Sequence, residues 1–346
     1  MSQGSFPIRP VRAFAAAIAV FALTATAIAT ADAAEPPDAW KLSVAVGPAF
    51  ALGKAADRWA KLIDERSGGK PPVRLFPGAT LSLRDPAREF IALRDGAADL
   101  AVGSTLFWSA QVPELNLIAL PWLAPEDANI AALATGPVGA ELANAVERAG
   151  VVPLALAALG HRVVATSASP PRSPDEVNGM KVRVSWTPLV VDLFVNLGAM
   201  PRSLPASDAQ AAFRAGTLDA QEGTLSTIAA ARLEAFGVKQ VVLWGAVAEC
   251  AVFAANRTAW NGWTEEQRAL VRESAMQAAR ELPALVQAEN DAALHELTQR
   301  GFTVTRLTAS GRAAFAGATR GIYDKWAARV GADVVRAAEA AVKGTP

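Results

Sequence analysis

The stretch Lys41-Leu42-Ser43-Val44-Ala45-Val46 is short and mostly apolar, as expected for a strand in the interior of a protein. A helix is predicted directly after it, because apolar residues recur there with a period of 3.6, at Leu52, Ala55, Ala56, Trp59, Leu62 and Ile63. Gly68 and Gly69 end this helix. Strands at 73–76 and 99–103, with a helix at 85–95 between them, complete a βαβαβ order. This order predicts an α/β protein with mostly parallel strands.

Two further helices are predicted from residues that stabilise a helix N-terminus. Ser173 and Glu176 have the spacing of a capping box, in which a hydroxyl and a carboxylate satisfy two backbone N–H groups. Thr264 and Gln267 repeat that spacing at the start of a predicted helix over 265–300. A helix of this length reaches about 50 Å, so it is long enough to bridge two lobes.

The second half of the chain repeats the alternation of strand and helix. A second α/β unit is predicted to begin near Gly160, with strands at 181–184 and 302–306. The Ala-rich segment 313–343 is predicted to be helical, with breaks at Gly317, Gly321 and Gly331. The sequence therefore predicts two α/β lobes joined by ordered chain.

Composition excludes several classes of protein. Of the 346 residues, 52% are hydrophobic and 19% are charged, which excludes a disordered or fibrous chain. Lys and Arg total 33, as do Asp and Glu, so no net charge attracts nucleic acid. One cysteine and two histidines cannot build a Cys/His zinc site, and one cysteine cannot form an internal disulfide.

The N-terminal residues 1–33 have the pattern of a secretory signal peptide. Arg9 and Arg12 precede a small and apolar run over 13–29, and Ala31-Asp32-Ala33 supplies a cleavage site. The mature chain is expected to begin near Ala34, in the periplasm. A retained membrane anchor is the alternative interpretation of the same run.

A search for catalytic motifs gives negative results. The chain has no phosphate-binding loop, no G-x-S-x-G elbow and no H-E-x-x-H zinc motif. His295 lies in a charged predicted helix, and His161 is adjacent to Arg162, whose charge disfavours a second proton on the imidazole. Cys250 lies in an apolar run, which favours a buried and inert thiol.

Arg183 is the strongest candidate for ligand binding. It lies near the carboxyl end of the predicted strand 181–184, where α/β folds bind ligands. Its guanidinium can donate two parallel hydrogen bonds to a carboxylate. The residues alone leave an alternative open, which is an arginine held in a structural ion pair.

Several motifs, in this order and at this spacing, resemble those of the solute receptors of TRAP transporters, the DctP type. The family patterns G-[LM]-K-[IV]-R, L-G-A-x-P and D-G-Q-E-N-P-L correspond to Gly179-Met180-Lys181-Val182-Arg183, Leu197-Gly198-Ala199-Met200-Pro201 and Asp219-Ala220-Gln221-Glu222-Gly223-Thr224-Leu225. Upstream, K-D-G, L-P-[YF] and G-x-R correspond to Arg94-Asp95-Gly96, Leu120-Pro121-Trp122 and Gly160-His161-Arg162. The resemblance covers essentially the whole mature chain.

The resemblance implies a periplasmic binding protein with two α/β lobes, crossing hinge strands and a long lobe-spanning helix. One lobe would comprise 34–159 with about 249–290, and the other 160–248 with about 291–346. The lobes would close on a small organic acid, and the receptor would then dock on the small and large membrane subunits of a sodium-driven TRAP permease. Binding without enzyme activity, cofactor or metal is implied.

The family's ligand contacts are carried over by position. Arg183 matches the arginine that pairs with the ligand carboxylate, and Arg162 matches a second arginine near the same group. Gly223 stands where many members place an asparagine that also holds the carboxylate, and Gly245 stands where members often have histidine. These two departures remove polar contacts.

Other positions suggest the class of ligand. Ala45 and Ser104 match positions that supply polar side chains in sugar-acid-binding members, and Pro86 matches a position that is often acidic. A polyhydroxylated ligand fits poorly in such a cleft, because each buried and unpaired hydroxyl costs about 1 to 3 kcal/mol.

Two tryptophans are candidates for an apolar wall of the cleft. Trp186, with Thr187 beside it, and Trp108 offer flat surfaces, so we expect an aromatic or branched-chain monocarboxylate. Either tryptophan can instead serve only in packing.

Two other functions remain open at this stage. A periplasmic enzyme on the same fold would use His161 or a carboxylate as its base. A receptor that feeds a sensor kinase instead of a permease would show the same binding motifs.

Overall fold

The computed structural model describes Met1 and residues 39–185 and 187–345. Trp186 and residues 2–33 of the predicted signal peptide lie outside the described residues. Within the described part the strands are β1 (Trp40–Val44), β2 (Val73–Phe76), β3 (Leu100–Ser104), β4 (Val151–Thr166), β5 (Lys181–Val184), β6 (Met200–Ser203), β7 (Ala220–Thr224), β8 (Gln240–Leu243), β9 (Ala248–Asn256) and β10 (Thr303–Arg306).

The helices alternate with these strands in both halves of the chain. They are α1 (Ala51–Ser67), α2 (Glu89–Arg94), α3 (Thr105–Trp108), α4 (Asn116–Ala119), α5 (Asp127–Ala134), α6 (Gly136–Arg148), α7 (Pro188–Asn196), α8 (Ala206–Arg214), α9 (Leu225–Ala230), α10 (Arg257–Gly262), α11 (Glu265–Gln299), α12 (Ala309–Ala318), α13 (Arg320–Val330) and α14 (Ala332–Lys343).

The predicted first unit is confirmed, beginning with β1 and α1. The apolar face of α1 is buried, with Trp59 and Ile63 fully inaccessible to solvent. Gly68 ends α1 in the left-handed region at φ 65°, a conformation that costs glycine little because it has no Cβ. The predicted helix over 85–95 is instead a 3₁₀ turn, Pro86–Arg88, followed by α2.

The strands pair in the order β2-β1-β3-β9-β4-β7-β5-β6, with β8 pairing to both β4 and β10. β1 is parallel to β2 and β3, and β5 is parallel to β6 and β7. The 16-residue β4 joins these two sets, because it pairs antiparallel with β9 as far as His161 and with β7 from Arg162 onward. The predicted two-unit architecture with crossing strands is thus confirmed.

The predicted lobe-spanning helix is also confirmed. α11 has 35 residues, contains Pro283, and packs on α1 of the first unit and on α9 of the second. Its capping box forms as predicted: Gln267 N donates to Thr264 Oγ1 at 3.2 Å, and Thr264 N donates to Gln267 Oε1 at 2.9 Å. Among the described helices, none combines the length and apolar character required to cross a bilayer.

The C-terminal helices break at one of the three predicted positions. The interruptions fall at Gly331, as predicted, and at Thr319, while Gly317 and Gly321 lie inside helices. α13 contacts α4 and α7, and α14 contacts α5 and α6. These helices therefore pack on both units. The lobe boundaries predicted from the sequence placed 291–346 with the second lobe, and those boundaries stay a prediction.

The capping box predicted at Ser173 does not form. Ser173 makes no side-chain cap, and the Glu176 carboxylate accepts a hydrogen bond from Arg172 N at 2.6 Å. The turn that follows Ser173 is a single 3₁₀ turn, Pro174–Val177, in which Glu176 N donates to the carbonyl of Ser173 instead of its hydroxyl. The same spacing of residues thus gives a cap only where an α-helix follows.

These two sites provide a matched test of helix capping. Thr264→Ala is expected to lower the free energy of unfolding by about 0.5 to 2 kcal/mol, because it removes the hydroxyl that satisfies Gln267 N. Ser173→Ala is expected to change it by less than about 0.5 kcal/mol. Urea unfolding followed by circular dichroism measures both, and equal losses would show that the Thr264 cap adds nothing.

Candidate functional site

A cavity of about 810 Å³ lies where the parallel strands of both units end. Ala45 follows β1, Ser104 ends β3, Ser185 follows β5 and Thr224 ends β7, and all four line this cavity. Ligands of α/β proteins bind at the carboxyl ends of strands, where the side chains that follow each strand converge. The cavity therefore occupies the expected position for a ligand held between two α/β units.

Arg183 lies in this cavity as the sequence predicts. It is on β5, opposite Gln221 of β7, and its Nε donates to the carbonyl oxygen of Leu204 at 3.0 Å. Among the described residues no carboxylate lies within ion-pairing distance of it. Burial, and secondarily the charge of Arg162, lowers the pKa of Arg183 to about 10. An anion in the cavity would relieve this unfavourable environment for the cation.

Arg162 is placed differently, because its guanidinium is already bound by the protein. Its Nη1 lies 2.5 Å from Glu249, its Nε and Nη2 both contact Glu222, and Nη2 also donates to Ser185 Oγ at 2.6 Å. The side chain is only 6% exposed, and the two glutamates less. Ser104 Oγ in turn donates to Glu249. Two predicted ligand groups, Arg162 and Ser104, are thus joined in one buried network.

Gly223 does not contribute to the cavity lining. A Cβ at this position would lie 2.9 Å from Thr227 Oγ1, so the space beside Gly223 is taken by that hydroxyl. Thr227 lines the cavity, donates to the carbonyl of Thr224 at 2.8 Å and accepts from the Thr224 hydroxyl at 3.0 Å. The polar group nearest to the expected asparagine position is therefore a threonine from α9.

The predicted aromatic wall is not formed by Trp108. This side chain is fully buried in the core, edge-on to Phe90 at 5.3 Å and pressed against Gly103. The neighbouring residue Phe107 lines the cavity in its place. Thr187 is buried at the start of α7, with no hydrogen-bond partner for its Oγ1 among the described residues.

Several groups that shape the site were not predicted from the sequence. Glu249 lies in β9, whose other residues are mostly apolar, and Glu222 lies in β7, which is buried along most of its length. An acid in a buried strand is a signal of an internal ion pair. Gln221 lies beside Arg183, is 3% exposed, and also lines the cavity. The contact between Arg183 and the carbonyl of Leu204 could not be predicted from the sequence, because every residue has a backbone carbonyl.

The candidate catalytic groups are engaged or buried. Both ring nitrogens of His161 contact acceptors, Ala124 O at 2.7 Å and Asp127 Oδ1 at 3.1 Å. Cys250 is buried, and burial raises the pKa of its thiol far above the usual range. Within the described residues no cluster of His, Cys, Asp and Glu is arranged to hold a metal ion.

A cavity between two α/β units, an uncompensated arginine within it and crossing strands behind it define a solute-binding protein. Comparison with known families agrees: residues 42–329 match DctP, the bacterial extracellular solute-binding protein, family 7. The chain belongs to this family, whose members include periplasmic solute-binding proteins.

Solved structures and sequence relatives support this assignment. A TRAP periplasmic solute-binding protein from Ralstonia eutropha, crystallised with (S)-2-acetolactate, is 40% identical, covers 89% of this chain and 99% of its own, and superposes with a TM-score of 0.84. One from Bordetella bronchiseptica, with density assigned to pantoate, is 25% identical, covers 89% and 99%, and has a TM-score of 0.78. The uncharacterized protein y4mM of Sinorhizobium fredii is 35% identical over 52% of this chain, but over only 33% of its own length.

The two cavity arginines allow a matched test of stability. Arg162→Leu leaves Glu222 and Glu249 buried without their cation, so the free energy of unfolding is expected to fall by about 3 to 5 kcal/mol. Arg183→Leu breaks no ion pair among the described residues and is expected to change it by less than about 1 kcal/mol. Urea unfolding without ligand measures both, and a similar loss in the two variants would contradict the assigned network.

A buried carboxyl at the start of α2 gives a pH dependence. Burial raises the pKa of Glu89 to about 8, against an ordinary value of 4.5, although its Oε1 accepts from Ser43 Oγ at 2.9 Å. Unfolding therefore releases a proton between these two pH values, and stability falls as pH rises through that window. Glu89→Gln keeps the acceptor and is expected to gain about 2 to 4 kcal/mol over wild type by pH 8. Stability curves that run parallel from pH 4.5 to 8 would contradict this.

Proposed function

We propose that this protein is the receptor of a TRAP transporter, which captures a small monocarboxylate in the cavity and delivers it to the membrane subunits of a permease. The observation that carries the proposal is the Arg183 guanidinium, which lines the cavity with no carboxylate partner among the described residues. Since its Nε is held by Leu204 O, the two Nη groups are the ones that would receive the ligand carboxylate.

The charges around the cavity favour one carboxylate over two. Arg162 is already neutralised by Glu222 and Glu249, so it offers no free charge to a second anion. Arg84 lines the cavity but is exposed, so a carboxylate paired with it would remain largely in water and gain little. A dicarboxylate would thus bury a second charge without adequate compensation.

The remaining cavity surface favours a compact and branched acid. Ala45, Pro86 and Phe107 present no side-chain hydrogen-bonding groups, and the Thr224 and Thr227 hydroxyls bond to each other. The R. eutropha protein has bound (S)-2-hydroxy-2-methyl-3-oxobutanoate, and the B. bronchiseptica protein has density assigned to pantoate. Both molecules carry one carboxylate on a small branched skeleton, which supports the same ligand class here.

The proposed cycle is closure and release. Export by the predicted signal peptide would place the receptor in the periplasm. Closure of the two proposed lobes would then remove the Arg183 ion pair from water. These lobes are 34–159 with about 249–290, and 160–248 with about 291–346. A ligand can shift the equilibrium between the open and closed forms only by as much as its affinities for the two forms differ. Co-purification with a permease would separate this function from a receptor that feeds a sensor kinase.

Arg183 variants test the binding role. With (S)-2-acetolactate and pantoate as probes, Arg183→Ala is expected to weaken binding at least about 30-fold, because it leaves the carboxylate unpaired. Arg183→Lys is expected to lose about tenfold or more, since an ammonium cannot replace two parallel donors. Arg202→Ala, an exposed neighbour on β6, is the matched control and should bind like wild type. Calorimetry measures all three.

Two outcomes would contradict the proposal. If an acid that binds wild type binds Arg183→Ala equally well, Arg183 is not the carboxylate contact. If succinate raises the thermal unfolding temperature more than either monocarboxylate, the charge argument for one carboxylate fails.

A further inference from the structure

His161 occupies a special point of the crossing strand β4. It is the last residue of β4 that pairs with β9, and the next residue, Arg162, is the first that pairs with β7. A register shift lies just before it, between Ala158 and Gly160, where Gly160 has φ 100°. A bulge of this kind turns the following side chain, and here His161 faces the segment 124–127 that leads into α5.

Both ring nitrogens of His161 face acceptors. Nε2 lies 2.7 Å from the carbonyl oxygen of Ala124, and a carbonyl oxygen can only accept. Nδ1 lies within ion-pairing distance of Asp127, 3.1 Å from its Oδ1, and an ionised carboxylate can also only accept. An imidazolium, which carries a proton on both ring nitrogens, makes the hydrogen bond and the ion pair together.

The surrounding charges leave Asp127 as the main partner of this cation. His161 also lines a smaller cavity of about 230 Å³, on which charged groups face from β4, the start of α5, α11, β10 and α12: Arg162, Glu126, Asp127, Asp291, Arg306 and Arg312. Arg162 is neutralised by its two glutamates, and Glu126 pairs with Arg312 at 3.4 Å. On the side of the larger cavity the acids are Glu249, bound to Arg162, Glu289, bound to Ala51 N, and Asp85, which accepts from Ala87 N. The cations on that side, besides Arg162, are Arg84 and Arg183.

The hydrogen bond from His161 also acts on Asp127. It holds the pKa of the Asp127 carboxyl below its usual range, which keeps the acceptor ionised. Backbone bonds reinforce the same junction: Trp122 N donates to Ala246 O at 2.9 Å, and Arg162 N donates to Val247 O at 2.9 Å. The segment 122–127, the chain at 246–247 and β4 therefore meet at His161 and Arg162.

We propose that His161 is a positioning residue: as an imidazolium it clamps β4 to the segment 124–127 and thereby holds Arg162 and its two glutamates in place beside the cavity. A ring that carries only one proton can make only one of the two contacts. The clamp is then incomplete and ligand affinity falls, although His161 is not part of the proposed carboxylate contact.

The first test needs no ligand, so it is independent of the proposed function. The chain has only two histidines, and His295 is exposed in α11, which makes it an internal control. ¹⁵N-labelled protein is titrated and followed by nuclear magnetic resonance. When the ring of His161 contacts residues 124 and 127, both of its nitrogens should carry a proton. Loss of a His161 proton should coincide with shifts of the backbone amides of residues 122–127 and 162–163. A proton lost without those shifts would overturn the clamp.

The second test uses variants with matched controls. Asp127→Asn keeps an acceptor but removes the charge, so it should weaken the contact with His161 and shift the backbone amides of residues 122–127, while the ring signals of His295 stay in place. His161→Gln can donate only through its amide nitrogen, so it should bind pantoate about five- to tenfold more weakly. His295→Gln should behave as wild type.

The outcomes separate the clamp from the proposed function. If pantoate and (S)-2-acetolactate do not bind wild type, the ligand assignment fails, while the nuclear magnetic resonance titration still decides the clamp. If they bind and His161→Gln keeps the wild-type affinity and pH profile, the clamp is wrong and the ligand assignment stands.

Discussion

The structure around the cavity depends on one buried guanidinium and the two carboxylates that bind it. Arg162 joins β4 to Glu222 on β7 and to Glu249 on β9, and Glu249 continues the network to Ser104 at the end of β3. Charges removed from water are tolerated only when they are paired and hydrogen bonded. The network is therefore stable as a complete set, and this requirement holds β3, β4, β7 and β9 together where the strands cross.

The same network determines what the cavity can recognise. Because Arg162 is used within the protein, the neighbouring Arg183 is the half-buried cavity cation that has no carboxylate within ion-pairing distance in the described part of the chain. Two arginines that look equivalent in sequence thus have different roles, one organising the strands and one available to an anion. The difference comes from Glu222 and Glu249, which lie far from both arginines along the chain.

Sequence patterns predicted local structure well where that structure depends on residues within one helix or strand. The capping box at Thr264 forms, whereas the same spacing at Ser173 does not, because the chain after Ser173 makes only one 3₁₀ turn. In the site, the position of Arg183 followed from its strand and from the family motif. The direction of Trp108, and the partner that Glu249 supplies to Arg162, depend on contacts between distant segments, which no local pattern contains.

Pro283 gives the long helix α11 a mechanical property that bears on the proposed closure of the two lobes. Proline has no backbone N–H, so the helical bond that would end on the carbonyl of Ala279 is missing in the middle of an otherwise continuous rod. A rod bends where its internal bonding is weakest, and this turn lies just before Val286 and Glu289, which line the cavity. The stiffest element that connects the two units therefore has its most compliant point close to the site where a guest molecule would be held.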